Sequence, residues 1–446
     1  MKKTLLSLIA FLLFCSGYAQ QQLWQKIRES DIAQLPKNPR DSNPKSSLLY
    51  HLDLEALKTQ LASAPLRGNG QASNIIITMP DAEGSLLHFR VYNAPVIAAG
   101  LEARYQDIKS YVGQCIEQPG STLRFSVTLF GLHAMALTTG HGTWYIDPFT
   151  KDAQNYIVYK RADLVTTNMF TCNTPGSTAD TQRMAVRLAP QLMPQDNGNF
   201  RTYRLAIATT VEYSAFQIEQ AGLQNGTSDE KMEAVIAAIT VTITRVSSMF
   251  ERDLSVSLQL IPTNDLVVFI DSDELNNDDA GALLNEGNTV IYEAIGAENF
   301  DMGHSFGTSG GGLAAGAPCS DFKAGAMTGV GSPVGDPFDI DYVAHEMGHQ
   351  FGAGHTFNIE CGGNRADDLA YEPGSGTTIM AYAGVCDPNI QYHSDVQFHA
   401  ISIQQMRSRI NGESNCVPLV PTGNIPPVAN AGNDYVIPKG TAFILE

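Results

Sequence analysis

His345, Glu346, His349, Gly352 and His355 are spaced as H-E-x-x-H-x-x-G-x-x-H, and each position has a chemical reason. Histidines four residues apart stack on one face of a helix, so His345 and His349 can offer two imidazole nitrogens to a single ion. Glu346 can lean over that ion without ligating it, which is where a general base for water belongs. Gly352 lets the chain leave the helix through a left-handed conformation and turn back, bringing His355 round as a third ligand. Three protein ligands leave a fourth tetrahedral position for water, the arrangement of a catalytic zinc site rather than a structural one. A helix that merely carried histidines would need neither the glycine nor the third histidine at these offsets.

Downstream, Gly376-Thr377-Thr378-Ile379-Met380-Ala381-Tyr382-Ala383-Gly384 resembles the Met-turn that floors the zinc site of metzincin proteases, with Met380 packing beneath the metal. On these two motifs the chain resembles a secreted bacterial metzincin related to the reprolysins (adamalysins), over roughly Phe200 to Cys416. Gly311, Gly312, Leu313 and Ala314 resemble the family's substrate-holding edge strand. The chain departs from the family in carrying Thr356 where reprolysins usually have Asp directly after the third histidine, and in a longer interval between His355 and Met380. These departures bear on the subfamily rather than the clan.

The resemblance implies an α/β (α+β) zinc protease domain: a twisted, mostly parallel sheet, an active-site helix and a Met-turn, preceded by a strand-rich prodomain. It implies a zinc endopeptidase in which the metal lowers the pKa of its water and Glu346 takes the proton. Extended polypeptide would add to the Gly311–Ala314 strand by β-augmentation. In some metzincins a tyrosine two residues after the methionine binds zinc or supports the tetrahedral intermediate, so Tyr382 is a candidate for oxyanion stabilisation. A buried tyrosine with its hydroxyl satisfied by backbone is the equal alternative.

Cys319, Cys361, Cys386 and Cys416 form an even set in a domain expected to be exported, which argues for two disulfides without saying which of three pairings is made. The family resemblance favours Cys319 with Cys416 and Cys361 with Cys386. Cys115 and Cys172 lie further upstream. Cys172, shortly before the catalytic region, is a candidate latency switch, because a thiolate can occupy the water position on zinc. A simple Cys115–Cys172 disulfide is the competing reading.

The elements that must position these groups can be read in outline. Residues 1–19 have the two lysines, the apolar run and the small-x-small site of a signal peptide, which implies secretion or display at the cell surface. Residues 20–195 contain short apolar segments bounded by turn residues and are expected to form the prodomain, acting as the enzyme's own inhibitor. Arg183 and Arg187 lie in its linker-like end as possible activation points. Residues 196–417 form the expected catalytic domain, with a helix starting at Ser228 as its expected cap, strands around it, a segment Thr289 to Glu293 that suits either a helix or a strand, and a last helix from about Gln397 to Ile410. Residues 418–428 read as a Pro-rich linker and 429–446 as the start of an incomplete immunoglobulin-like repeat. The acidic cluster Asp271, Asp273, Glu274, Asp278 and Asp279 offers oxygen ligands, but Leu275 breaks the EF-hand template, and a solvated loop is expected; structural calcium elsewhere stays open. His304, His393 and His399 lack ligand spacing and are expected to be structural.

With a net charge of −18 the chain is unsuited to nucleic acid or an anionic membrane as its main partner, and after the signal peptide no span is expected to cross a membrane. Oligomeric state is not encoded in any motif. Two other functions compete. One is a catalytically inactive, metal-binding surface adhesin, disfavoured by the presence of Glu346 beside all three ligands; the other is a zinc hydrolase of a non-protein polymer, disfavoured by the metzincin resemblance.

Overall fold

The computed structural model describes residues 23–140, 142–166, 171–175, 198–424 and 436–440. The signal peptide, the linker with Arg183 and Arg187, and most of the C-terminal repeat-like tail lie outside the described residues.

The N-terminal part is built around a nine-stranded antiparallel sheet. Alternation along its strands explains why both faces are buried. On the strands Gly142–Pro148 and Asn155–Lys160, Trp144, Ile146, Tyr156 and Val158 point into a core of the sheet's own, with Trp24, Phe89 and Phe125. Their neighbours Tyr145, Ile157 and Tyr159 point the other way and share a core with the long helix Ser228–Leu254.

That helix explains its own composition. Ala234 to Phe250 are buried without a break, because one side meets the N-terminal sheet and the other its own sheet. It is long and apolar enough to cross a membrane by length and composition only, and its most apolar window is 94% buried inside the protein. Its cap is Thr227 rather than the expected Ser228. Thr227 and Glu230 exchange hydrogen bonds at Thr-x-x-Glu spacing, the reciprocal capping box that Ser228 followed by Lys231 cannot make.

In the second sheet, Asn199–Thr209 runs parallel to Val256–Leu260 and Met302–Gly307, and the latter runs parallel to Ala326–Gly329. Gly311–Ala314 closes one edge, antiparallel to Ala326–Gly329. Leu419–Pro421, expected within the linker, instead adds antiparallel to residues 199–201. The segment Thr289–Glu293, ambiguous in the sequence, lies within the helix Ala280–Ile295. The last helix is Ala400–Asn411, with His399 as its N-cap. The acidic loop is partly structural: Asp273 accepts from Val211 N, and Asp279 caps the 280–295 helix.

Charges knit the two parts together. Arg161 donates to Asp336 and Asp341 at 2.6 and 2.5 Å, and to the Ser394 carbonyl. Arg245 on the long helix bridges Asp147 of the N-terminal sheet and Asp339. Asp336 precedes, and Asp339 and Asp341 lie within, the π-helical turn Pro337–Val343 that leads directly into the helix Ala344–Gln350. The element carrying His345 is therefore anchored by cations from elsewhere in the fold.

Candidate metal centre

His345, Glu346 and His349 sit on the Ala344–Gln350 helix. Gly352 then adopts φ +96°, and its N–H donates to the His349 carbonyl at 2.8 Å. This left-handed exit returns His355 to the same point. His349 Nε2 lies 3.1 Å from His345 Nε2 and 3.0 Å from His355 Nε2.

The other ring nitrogens decide what these atoms are. His345 Nδ1 faces the Ile379 carbonyl at 2.6 Å, His349 Nδ1 the Ala353 carbonyl at 2.8 Å, and His355 Nδ1 the Asn364 carbonyl at 2.9 Å. A carbonyl can only accept, so each Nδ1 carries the proton and each Nε2 presents a lone pair. Burial pushes all three imidazoles well below their ordinary pKa, His349 to about 4, so they are neutral. The His349 lone pair stands about 3 Å from those of His345 and His355 with no donor between them, which suits a shared cation.

Cys172 completes the cluster. Its Sγ is 3.7 Å from His349 Nε2 and 3.6 Å from His355 Nε2. The four ligand atoms lie within 4.8 Å of one another, so they could hold one metal ion. Burial, and then the Glu346 carboxylate, push the Cys172 thiol well above its ordinary pKa. A divalent cation would favour the deprotonated sulfur and the neutral imidazoles together. The disulfide alternative is not formed: Cys115 and Cys172 are both free. Among the described residues, the other four cysteines pair as Cys319–Cys416 and Cys361–Cys386.

The Cys172 segment also covers the sheet edge. Cys172 pairs in parallel with Gly312; Gly312 N donates to the Thr171 carbonyl and Asn173 N to the Gly312 carbonyl, both at 2.8 Å. Gly311 and Gly312 have to be glycines here. A Cβ on Gly311 would stand 2.3 Å from the Thr171 carbonyl oxygen, and one on Gly312 2.0 Å from Glu346 Oε1. Leu313 and Ala314 continue the strand, and Ala314 N donates to Thr174 Oγ1.

Glu346 is fully buried. Thr174 Oγ1 donates to its Oε2 at 3.2 Å, while Oε1 has no hydrogen-bonding partner among the described residues. Burial pushes its carboxyl up to about 8, against the lowering influence of Cys172 and Thr174.

Met380 lies under the helix, where its Sδ would be 2.5 Å from a Cβ on Gly348, and its carbonyl accepts the N–H of Thr356. Tyr382 packs against His355 and Phe357. Its hydroxyl donates to the Cys172 carbonyl at 3.3 Å, and Asn364 Nδ2 donates to the same carbonyl at 3.0 Å. His304 is held by Gln350 and Thr328, away from the cluster.

Asn364, Thr174 and Glu372 were not singled out by sequence. None falls at a motif offset: Asn364 and Thr174 lie outside helices and strands, and Glu372 opens the two-residue strand Glu372–Pro373. Asn364 alone supplies a carbonyl to His355 and an amide to Cys172.

Comparison with known proteins agrees with this geometry. No curated protein matches the chain. Residues 199–408, which span all three histidines and Met380, match the family model described as metallo-peptidase family M12B, reprolysin-like. Over residues 199–408 the chain is therefore similar to the reprolysin-like metallo-peptidases of family M12B.

Proposed function

We propose that this chain is an exported zinc endopeptidase, made as a latent zymogen, with His345, His349 and His355 as metal ligands and Glu346 as general base. One observation carries the reading: the three converging Nε2 atoms lie beside a sheet edge already occupied by an extended segment of the chain itself. When bound, zinc would supply Lewis acidity, activating water and stabilising negative charge on a peptide carbonyl oxygen.

The protein's own groups do the rest. Glu346 accepts a proton at its carboxylate from the attacking water and delivers it to the leaving amine. Gly311–Ala314 offers main-chain donors and acceptors to an extended polypeptide, which gives affinity with little sequence preference. Tyr382 and Asn364, which hold the Cys172 carbonyl, would hold a substrate carbonyl once that segment leaves. Met380 fills the space beneath the helix and has no chemical step.

Latency follows from the same contacts. Cys172 presents its sulfur to the histidines and its backbone to the substrate strand, so the N-terminal part, residues 20–195, would block both metal and cleft. Activation then requires cutting the connection after Cys172. The signal peptide read in residues 1–19 would direct the product outside the cell or to its surface.

The experiment is hydrolysis of casein by the purified chain, before and after limited trypsin treatment, with and without a zinc chelator, and with Glu346→Gln alongside. Chelator-sensitive activity that appears after trypsin and is absent from Glu346→Gln, which should still bind zinc, is the expected result. Zinc binding without hydrolysis in any condition would favour a metal-binding adhesin instead.

A further inference from the structure

Glu372 is the buried carboxylate that sits between two of the candidate ligands without touching either. It is 6% exposed. Four donors converge on it. Thr377 N and Thr378 N donate to Oε1 at 2.9 and 3.0 Å; Thr378 Oγ1 donates to Oε2 at 2.6 Å, and Thr356 Oγ1 donates to the same oxygen. A carboxylate accepts only, and its two oxygens have room for these four bonds, so donors and acceptor match in full.

The donors lead to the metal site by two routes. Thr356 follows His355 directly; its N–H donates to the Met380 carbonyl and its own carbonyl accepts from Glu372 N. Thr377 and Thr378 precede Ile379, whose carbonyl receives His345 Nδ1 at 2.6 Å. One side chain thus ties the segment that carries His355, just ahead of the strand Phe357–Asn358, to the turn that orients His345. Such ties fix which way an imidazole faces.

We propose that Glu372 is a positioning residue that holds His345 and His355 in ligating geometry by bridging Thr356 to the Thr377–Thr378 turn. This rests on the reading of the three histidines as zinc ligands. Alanine at 372 would leave two backbone N–H groups and two hydroxyls without their shared acceptor, which loosens both routes together. Glutamine keeps the shape, and its amide can reverse the two hydroxyl bonds, so it should largely preserve the bridge.

The test measures zinc affinity by competition with a chelating dye, the cobalt(II) absorption spectrum, and the melting temperature with and without zinc. The full chain is compared with Glu372→Ala, Glu372→Gln and Thr356→Val, the last cutting only the His355 route. Glu372→Ala should weaken zinc binding about tenfold or more, shift the cobalt bands, and lower the melting temperature of the zinc form more than that of the metal-free form. Thr356→Val should move each quantity the same way by less, and Glu372→Gln should stay near wild type. A merely structural carboxylate would lower both melting temperatures equally and leave zinc affinity and the cobalt spectrum unchanged; that outcome overturns the inference. If Glu372→Ala does not fold, unchanged zinc affinity in Thr356→Val overturns it alone. A wild-type chain that binds no zinc would overturn the histidine reading itself, whereas zinc-binding wild type with unaltered variants removes only the role of Glu372.

Discussion

Cys172 Sγ lies 3.6 Å from His355 Nε2 although 183 residues separate the two along the chain. Its backbone meanwhile pairs with Gly312 on the sheet edge. If the thiol keeps the site closed, Cys172→Ala should give the uncut chain activity that wild type lacks. The expected rise is roughly 10- to 100-fold, as for a site open in about 1–10% of wild-type molecules. The check is casein hydrolysis by the intact variant, with electrophoresis to confirm that it remains uncut. Intact Cys172→Ala as inactive as wild type would remove the thiol from the latency mechanism.

Gly312 and Glu346 are matched by space. A Cβ at 312 would stand 2.0 Å from Oε1 and 2.5 Å from Cδ of Glu346, and Glu346 is fully buried with little room to move aside. Gly312→Ala should therefore displace the carboxylate while leaving the three histidines in place. Displacements of about 1 Å in a catalytic group cost on the order of 10²-fold. Expected are a fall of that size in kcat/KM after activation and an unchanged zinc content by metal analysis. Near-normal turnover would mean that Glu346 is not the base, or that the strand yields.

Arg161 provides a test of stability. It is buried, with its guanidinium on Asp336 and Asp341. Removing one member of a buried ion pair leaves the other charge uncompensated, at a cost of about 3–5 kcal/mol. Arg161→Met should lower the unfolding free energy in urea by about that much. The loss should be felt at the zinc helix, because Asp341 lies in the turn that leads into it. A change below about 1 kcal/mol would show that Tyr159 and Ser394, which also bond these aspartates, are sufficient.

Asp147 sets a dependence on pH. Burial would raise its carboxyl, but Arg245 and then Arg40 outweigh burial and hold it at about 2, below its ordinary 3.8. A depressed carboxylate contributes stability above its unfolded pKa and loses it as pH falls through the folded value. The contribution is about 2 kcal/mol. The gap in unfolding free energy between wild type and Asp147→Asn should thus be full at pH 5–7 and narrow as pH falls from about 4 to about 2. A gap that does not change with pH would mean that the pairing with Arg245 does not stabilise the fold.

The long helix and the helix carrying His345 were legible because apolar residues at helical spacing and ligand offsets are local properties of the chain. The helix register was also legible, yet its cap was misplaced by one residue, since Thr227 and Ser228 are both acceptable caps and only the partner Glu230 distinguishes them. The strand at Leu419–Pro421 was hidden by prolines that read as linker. Its pairing uses backbone groups, which leave no mark on side-chain pattern. Whether the long helix Ser228–Leu254 meets lipid or protein depends on what packs around it and not on its composition.

By itself the sequence determined the types and order of the motif residues: His345, Glu346, His349, the glycine turn and His355 lie within one helix and one reversal, where 3.6-residue periodicity and a single left-handed residue suffice. It also supplied an even set of cysteines, whose pairing it left to family resemblance. Only the tertiary structure decided which carbonyls orient the histidines, that Cys172 rather than a disulfide faces them, and that Glu372 gathers four donors from two loops. Those relationships join residues far apart in sequence through single hydrogen bonds. No periodicity links such partners, so they exist only once the sheets and loops have packed.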